Sequence, residues 1–383
     1  MKILMLNYEF PPIGGGTGQE HLAILKQLAG RYDLLADVVT SSPTPGLAVE
    51  KMSDNITIYK VGVHKKNLHY WRKIEVVEWL FMARRPYRQL LSQNRYDLVH
   101  VFSALPTGWL CRRDLDMTPY IISLCGSDVP GQHNRLQLEY KLTAPLSRRL
   151  WSKASVIISL SDGLRKRALA FLPSANIEII PNGVDLSRFY PAPDKSLGGD
   201  LKLLTVGRLS ATKRIDMLIG AVDILNKKGR PVRLTIAGGG KLQAELEGLI
   251  EQKGLSSIIR LTGRIDPQQM PEVYRQHDMF VSASYQEGMS NAMVESIASG
   301  LPIITTRCEG VEELIGDNGL VVEEASANAL AEAINNLSED RKKYNAMIAA
   351  AKRLAEKLGW DKIAEKYLEL YRRICRPRHA GAV

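Results

Sequence analysis

The run Lys2-Ile3-Leu4-Met5-Leu6-Asn7 leads, a few residues on, into Pro11-Pro12-Ile13-Gly14-Gly15-Gly16-Thr17-Gly18. Helical apolar spacing follows from His21 to Ala29. A short apolar strand, a glycine turn and a helix make the opening unit of a wound α/β sheet. Working outward, Leu35–Thr40, Ile56–Val61, Leu98–Phe102, Tyr120–Leu124, Val156–Leu160 and Ile177–Ile180 read as further strands, most of them separated by helical patterns. That alternation predicts a mostly parallel, doubly wound sheet. The breaker-rich segment Tyr190-Pro191-Ala192-Pro193-Asp194 through Gly198-Gly199 reads as a linker.

Beyond it the pattern restarts. Lys202–Val206 is a strand, Gly207 a turn and Ile215–Leu225 an amphipathic helix. Val232–Ala237, Ile259–Leu261, Met279–Ser282, Pro302–Thr305 and Gly319–Val322 continue as strands, and the chain from Ala327 is almost wholly helical. Two Rossmann-like α/β domains in series are expected, with the functional site in the cleft between them.

Composition agrees. The chain has 383 residues, 45% hydrophobic and 24% charged, enough for two buried cores and unlike a disordered chain. No apolar run approaches a bilayer span, and Glu9 in the first segment argues against a secretory signal. Cys111, Cys125, Cys308 and Cys375 stand far apart, which fits a reducing cytoplasm and neither a disulfide framework nor a zinc site. The net charge of +10 admits nucleic acid, anionic membrane or phosphorylated small molecules. Nucleic acid is disfavoured, because no zinc-finger or RNP-type pattern is present.

Three stretches can carry chemistry. The Gly14–Gly16 turn lets amides approach a phosphate at a helix start, yet Gln19 stands where a dinucleotide fingerprint needs its third glycine. It could equally be a tight turn. Arg208 and Lys213 follow the first strand of the second half, where they could clamp a diphosphate or simply be solvated. The third is Ser282-Ala283-Ser284-Tyr285-Gln286-Glu287-Gly288-Met289-Ser290-Asn291-Ala292-Met293-Val294-Glu295. It sets one carboxylate in a turn, an uncapped row of amides, and a second carboxylate about one helical turn in. A sugar nucleotide could use all three, through sugar hydroxyls, phosphate and ribose hydroxyls.

In order along the chain come Pro11-Pro12 with Gly14–Gly16, Pro181-Asn182-Gly183-Val184-Asp185 ending at Phe189, and Val206-Gly207-Arg208 with Lys213. Then follow Ala237-Gly238-Gly239-Gly240, Leu261-Thr262-Gly263-Arg264, Glu287 with Glu295 eight positions on, and Ser299-Gly300-Leu301-Pro302 followed by Glu312. This ordered set resembles the retaining GT-B glycosyltransferases of family 4 over nearly the whole chain. The resemblance implies a GT-B fold with an acceptor-side domain at 1–190, onto which helices at 360–383 cross back, and a donor domain at 200–358. It implies transfer of a sugar from a UDP- or GDP-sugar to a glycan or lipid-linked acceptor, in cell-surface polysaccharide or glycolipid synthesis.

Residue by residue, it implies that Gly15 and Gly16 approach the donor diphosphate. Arg208 and Lys213, beside Gly207, would bind that diphosphate and stabilise its charge on departure. Glu287 would contact the sugar and Glu295 the ribose. The amides of Gly288, Met289, Ser290 and Asn291 would line sugar and phosphates, with Arg264 and Ile265 near the base. Cys125 stands where many relatives carry a histidine, so Asp128 becomes a candidate acceptor of the hydroxyl proton, with His133 nearby; Asp128 could equally cap a helix.

No cofactor or metal is expected, and Asp114-Leu115-Asp116 reads as a chance Asp-x-Asp in a loop. Residues 65–95 carry eight Lys or Arg against two Glu, interleaved with Tyr70, Trp71, Trp79, Phe81 and Tyr87 and interrupted by Pro86. Such a segment suits peripheral contact with an anionic membrane at its inner face, or an ordinary core-packed helix. Two other functions remain open: a sugar-nucleotide epimerase, which would act without acceptor, and a non-catalytic sugar-nucleotide binder.

Overall fold

The structure, a computed structural model, describes residues 1–68, 70–114, 116–131, 136–193 and 197–375. The chain divides into two compact units, Met1–Pro181 with the segment from Trp360 onward, and Asn182–Gly359.

The first unit holds β1 (Lys2–Leu6), β2 (Leu35–Ser42), β3 (Leu47–Ser53), β4 (Ile56–Gly62), β5 (Leu98–Phe102), β6 (Tyr120–Ser123), β7 (Val156–Ser159) and β8 (Ile177–Ile179). Their order is β3-β4-β2-β1-β5-β6-β7-β8, with every pairing parallel except β3 on β4. β5, β6 and β7 are buried at every residue, as a parallel strand covered on both faces must be, and so read as unbroken apolar runs. β3 escaped the sequence reading. It is a charged edge strand with Leu47 and Val49 exposed, so no alternation marks it.

Around this sheet lie α1 (Gly16–Leu28), α2 (Lys73–Gln93), α3 (Gln137–Lys153) and α4 (Asp162–Phe171), with α12 (Trp360–Cys375) from the end of the chain. Pro86 does not interrupt α2, contrary to the sequence reading. The missing amide costs one ladder bond, while Trp79, Ala83, Tyr87 and Leu90 on the same side stay buried. α12 closes the first unit's core, where Ile363, Tyr367, Leu368 and Tyr371 join Ile3, Met5, Ile24 and Leu98.

The second unit holds β9 (Leu201–Val206), β10 (Val232–Ala237), β11 (Ile259–Gly263), β12 (Met279–Ser282), β13 (Ile303–Thr306) and β14 (Gly319–Val322), all parallel in the order β11-β10-β9-β12-β13-β14. Its helices are α5 (Ile215–Lys227), α6 (Gln243–Gln252), α7 (Met270–Arg275), α8 (Asn291–Ala298), α9 (Val311–Leu314), α10 (Ala327–Glu339) and α11 (Arg341–Leu358). Unit two begins ahead of the breaker-rich segment, part of which (194–196) lies outside the described residues. Val184 bridges Gly359, and the Phe189 ring meets Tyr274 edge-on at 5.7 Å. The chain is thus committed to the second unit from Asn182. Among the described residues no helix is long and apolar enough to cross a membrane. All four cysteines are free thiols.

Candidate functional site

In the second unit β9 pairs with β10 on one side and β12 on the other. The winding reverses there, so the loops after β9 and β12 part at the carboxyl edge of the sheet and leave room for a ligand. The β9 loop carries Gly207 and Arg208 into a 3-10 turn at Ala211–Lys213. The β12 loop carries Glu287. The two loops meet in an ion pair between Lys213 Nζ and Glu287 Oε1, both largely shielded from solvent. Buried Cys308, after β13, lies beside this pair. Its thiol is pushed up to about 12 by burial, with the Glu287 charge adding and the Lys213 charge opposing.

Arg214 fixes the arrangement. It stands in the left-handed region at φ 44° and starts α5. Its Nε donates to the Ala283 carbonyl at 2.6 Å and its Nη2 to Thr306 Oγ1 at 3.0 Å. The Thr306 hydroxyl donates in turn to the Ser284 carbonyl at 2.9 Å, and the Tyr285 amide donates to the Thr212 carbonyl at 3.1 Å. The carboxyl ends of β9, β12 and β13 are thereby tied together. The sequence reading missed Arg214, whose only signal was its place after Lys213 at a helix start.

The glycine run after β10 closes the other side of the crevice. The Gly238 amide donates to the Gly263 carbonyl at 2.8 Å, and a Cβ on Gly238 would overlap the Gly207 carbonyl. Only glycine lets the β10 and β9 loops lie this close. Arg264, exposed after β11, crosses Gly239, where a Cβ would lie 3.6 Å from Arg264 Cγ. Ile265 beside it is half-buried.

At the start of α8 the structure corrects one expectation. The helix is capped: Ser290 Oγ accepts from the Met293 amide at 3.4 Å. The amides before Met293 in the first turn have no intrahelical acceptor and present the positive end of the helix. Asn182 braces this corner. Its amide lies 3.2 Å from Met289 Sδ and its Nδ2 donates to Asn291 Oδ1 at 2.6 Å. Gly310 packs against Gly288, where an added Cβ would come within 3.1 Å of the Gly288 carbonyl.

Glu295, in the second turn of α8, accepts from the Tyr274 hydroxyl at 2.8 Å. Burial pushes its carboxyl up to about 7, while the Tyr274 hydrogen bond and the Arg188 charge act the other way. Tyr274, fully buried, carried no sequence signal of a site role.

In the first unit the reversal falls between β2 and β5, about β1. The glycine turn after β1 already receives an anion: the Gly15 amide donates to Glu9 Oε2 at 3.2 Å. Gly16 is the first residue of α1. Asp128 is buried, and burial raises its carboxyl to about 6. Its Oδ2 accepts from the Ala104 amide at 2.7 Å and its Oδ1 from the Cys125 amide at 2.9 Å. Through these two bonds Asp128 clamps the loops after β5 and β6 together. Cys125 is half-buried, its Sγ 3.5 Å from the Ser123 carbonyl, and burial holds its thiol well above the usual range. His133 lies outside the described residues. Asp114 accepts from the Tyr87 hydroxyl at 3.0 Å, while Asp116 pairs with Lys153.

Comparison with known proteins covers both units. Residues 15–188 match the family model described as Glycosyltransferase Family 4, and residues 188–354 that of Glycosyl transferases group 1. An uncharacterized glycosyltransferase of Methanocaldococcus jannaschii is 26% identical over 97% of this chain and 98% of its own. A GDP-mannose-dependent alpha-(1-6)-phosphatidylinositol monomannoside mannosyltransferase of Mycolicibacterium smegmatis is 30% identical over 54% of this chain and 59% of its own. Among solved structures, a sucrose-phosphate synthase from Thermosynechococcus elongatus superposes with a TM-score of 0.81 at 22% identity, covering 97% of this chain and 98% of that one.

Proposed function

The chain belongs to the family 4, group 1 glycosyltransferases, two α/β units of GT-B type, and from that premise we propose a retaining transferase that takes a UDP- or GDP-sugar. The Lys213–Glu287 pair at the strand reversal of the second unit, one loop from the α8 amides, is the observation that carries this reading. A diphosphate would meet Lys213, Arg208 and the amides of Gly288, Met289, Ser290 and Asn291. Glu287 would turn to the sugar and Glu295 to the ribose, with Arg264 and Ile265 by the base. Gly207 leaves room for the Lys213 side chain, whose Cε would lie 3.1 Å from a Cβ added there. Gly15 and Gly16 are carried as the first unit's phosphate-facing amides.

In the transfer step the bond from the anomeric carbon to the diphosphate oxygen breaks, and a bond to the acceptor hydroxyl oxygen forms on the same face. The hydroxyl proton passes to the departing phosphate oxygen, and nucleoside diphosphate leaves. No side-chain base is needed, which suits Cys125 at the first unit's strand end. Arg208 and Lys213 offset the charge that grows on the leaving group, and each such group typically contributes ~2.7–4 kcal/mol. Supported by relatives that include a phosphatidylinositol mannoside mannosyltransferase, the reading extends to a glycan or lipid-linked acceptor in envelope polysaccharide or glycolipid synthesis, at the inner face of a membrane.

A panel of nucleotide-sugars read by thermal shift identifies the donor, because a ligand raises apparent stability by mass action. With that donor, Arg208→Ala and Lys213→Ala should each lower kcat by roughly 100- to 1,000-fold. Turnover within about twofold of the unaltered enzyme in both would refute the clamp. Sugar interconversion with donor alone would point to an epimerase instead.

A further inference from the structure

Helix α2 turns a core face inward with Trp79, Ala83, Tyr87 and Leu90, so neither Trp79 nor Tyr87 is available to a surface. Lys65 is inward as well, its side chain sealed in an ion pair with Glu75. What α2 leaves outside is different. Ile74, Val77 and Phe81 share its outer face at helical spacing and are 71%, 63% and 76% exposed. The same face continues with Arg84, Arg85 and Arg88, all exposed.

A second helix repeats the pattern. Leu138 and Leu142, one turn apart on α3, are 67% and 73% exposed, with exposed Lys141 between them and exposed Arg149 further along the helix. An ion pair from Lys73 to Glu139 joins the first turns of the two helices, so their apolar ends lie together. Trp109 is half-open to solvent under the guanidinium of Arg112, which sits 4.1 Å from the ring centroid and is a neighbour of Arg84 and Arg88. Burial, and after it the nearby charges of Arg113, Arg84 and Arg88, lower the pKa of Arg112, with the Asp114 carboxylate acting the other way. Among the described residues no carboxylate pairs with Arg84, Arg85, Arg88 or Arg113.

We propose that the outer faces of α2 and α3 dock on an anionic lipid bilayer, with Ile74, Val77, Phe81, Leu138 and Leu142 entering the headgroup boundary and the arginine cluster holding lipid phosphates. Charge complementarity selects this occupant. Clustered guanidiniums repel one another on a free surface, and a sheet of phosphates relieves that over the whole patch. Bulky apolar side chains on an outward helical face, edged by a tryptophan and basic residues, are what an interfacial helix presents. The surface rests on the functional reading only for the choice of membrane face. Vesicle binding reads neither donor nor transfer, so the two can fail separately.

The test is co-sedimentation of the full chain with phosphatidylcholine vesicles, with and without phosphatidylglycerol. Binding to the anionic vesicles should weaken roughly tenfold or more in Val77→Asp/Phe81→Asp, in Arg84→Gln/Arg88→Gln, and at high salt. Thermal unfolding and nucleotide-induced thermal shift should be unchanged, which separates lost docking from misfolding. Equal binding with and without phosphatidylglycerol would overturn the proposal, as would unchanged binding of the variants. So would self-association of the chain in solution abolished by Phe81→Asp, which would make the face a protein interface.

Discussion

At the scale of single residues, the groups proposed to bind the donor are engaged with one another. Lys213 is paired with Glu287, so a diphosphate must compete with that carboxylate for the ammonium. Glu287→Gln should therefore bind free nucleoside diphosphate roughly two- to fivefold more tightly, the scale of a partly shielded ion pair, while transfer falls steeply. Calorimetric titration beside a transfer assay checks it; weaker nucleotide binding would remove the competition. Glu295 gives a pH dependence. Burial places its carboxyl near 7 in the folded chain, above its unfolded value. Its contribution to stability is thus fullest below the unfolded value and is lost as pH rises through about 7. Nucleotide binding runs the opposite way, since the ionised carboxylate is the better acceptor for ribose hydroxyls. Affinity should fall several-fold between about pH 8 and about pH 6. Tyr274→Phe removes a hydrogen bond to the ionised form and should move that midpoint upward. An unshifted profile would show that another group sets it.

Among the elements, three loops at strand ends are held by contacts that tolerate little change. A Cβ at Gly238 would run into the Gly207 carbonyl, so Gly238→Ala must push the β9 and β10 loops apart. The expected cost is ~1–3 kcal/mol in the second unit. Nucleotide affinity should fall further than stability alone explains, because Arg208 and Lys213 ride on the displaced loop. Gly248→Ala, at a helical position with open space around it, is the matched control. Equal affinities in the two variants would show that loop spacing is irrelevant. Most elements were legible in the sequence for a plain reason: parallel strands buried on both faces become short apolar runs, and turns need glycine. β3 was not legible, because an edge strand needs no apolar face. α2 was legible but misjudged at Pro86, since packing on the core outweighs one lost backbone bond.

For the molecule as a whole, the path of the chain matters most. α12 is last in sequence yet lies in the core of the first unit, where the Tyr371 hydroxyl is 2.7 Å from His100 Nδ1. Tyr371→Ala should destabilise that unit by ~3–5 kcal/mol, as loss of a buried aromatic does. Hydrogen exchange should show lost protection in β1, β5 and α1, with β9 to β14 unchanged. Equal loss in both sets of strands would mean that the two units unfold as one.

The sequence by itself determined the two α/β units and the residues that could meet a sugar nucleotide. Strand burial, glycine turns and charged groups at strand ends are local properties, written where they act. Only the tertiary structure decided what those groups touch. It set Lys213 against Glu287 and closed Tyr274 over Glu295. It spent both oxygens of Asp128 on backbone amides and turned Trp79 into the core while leaving Phe81 outside. Each of these depends on residues far apart in the chain, or on which face of a helix the sheet covers. A pattern of neighbours cannot encode them until the sheet order brings those partners together.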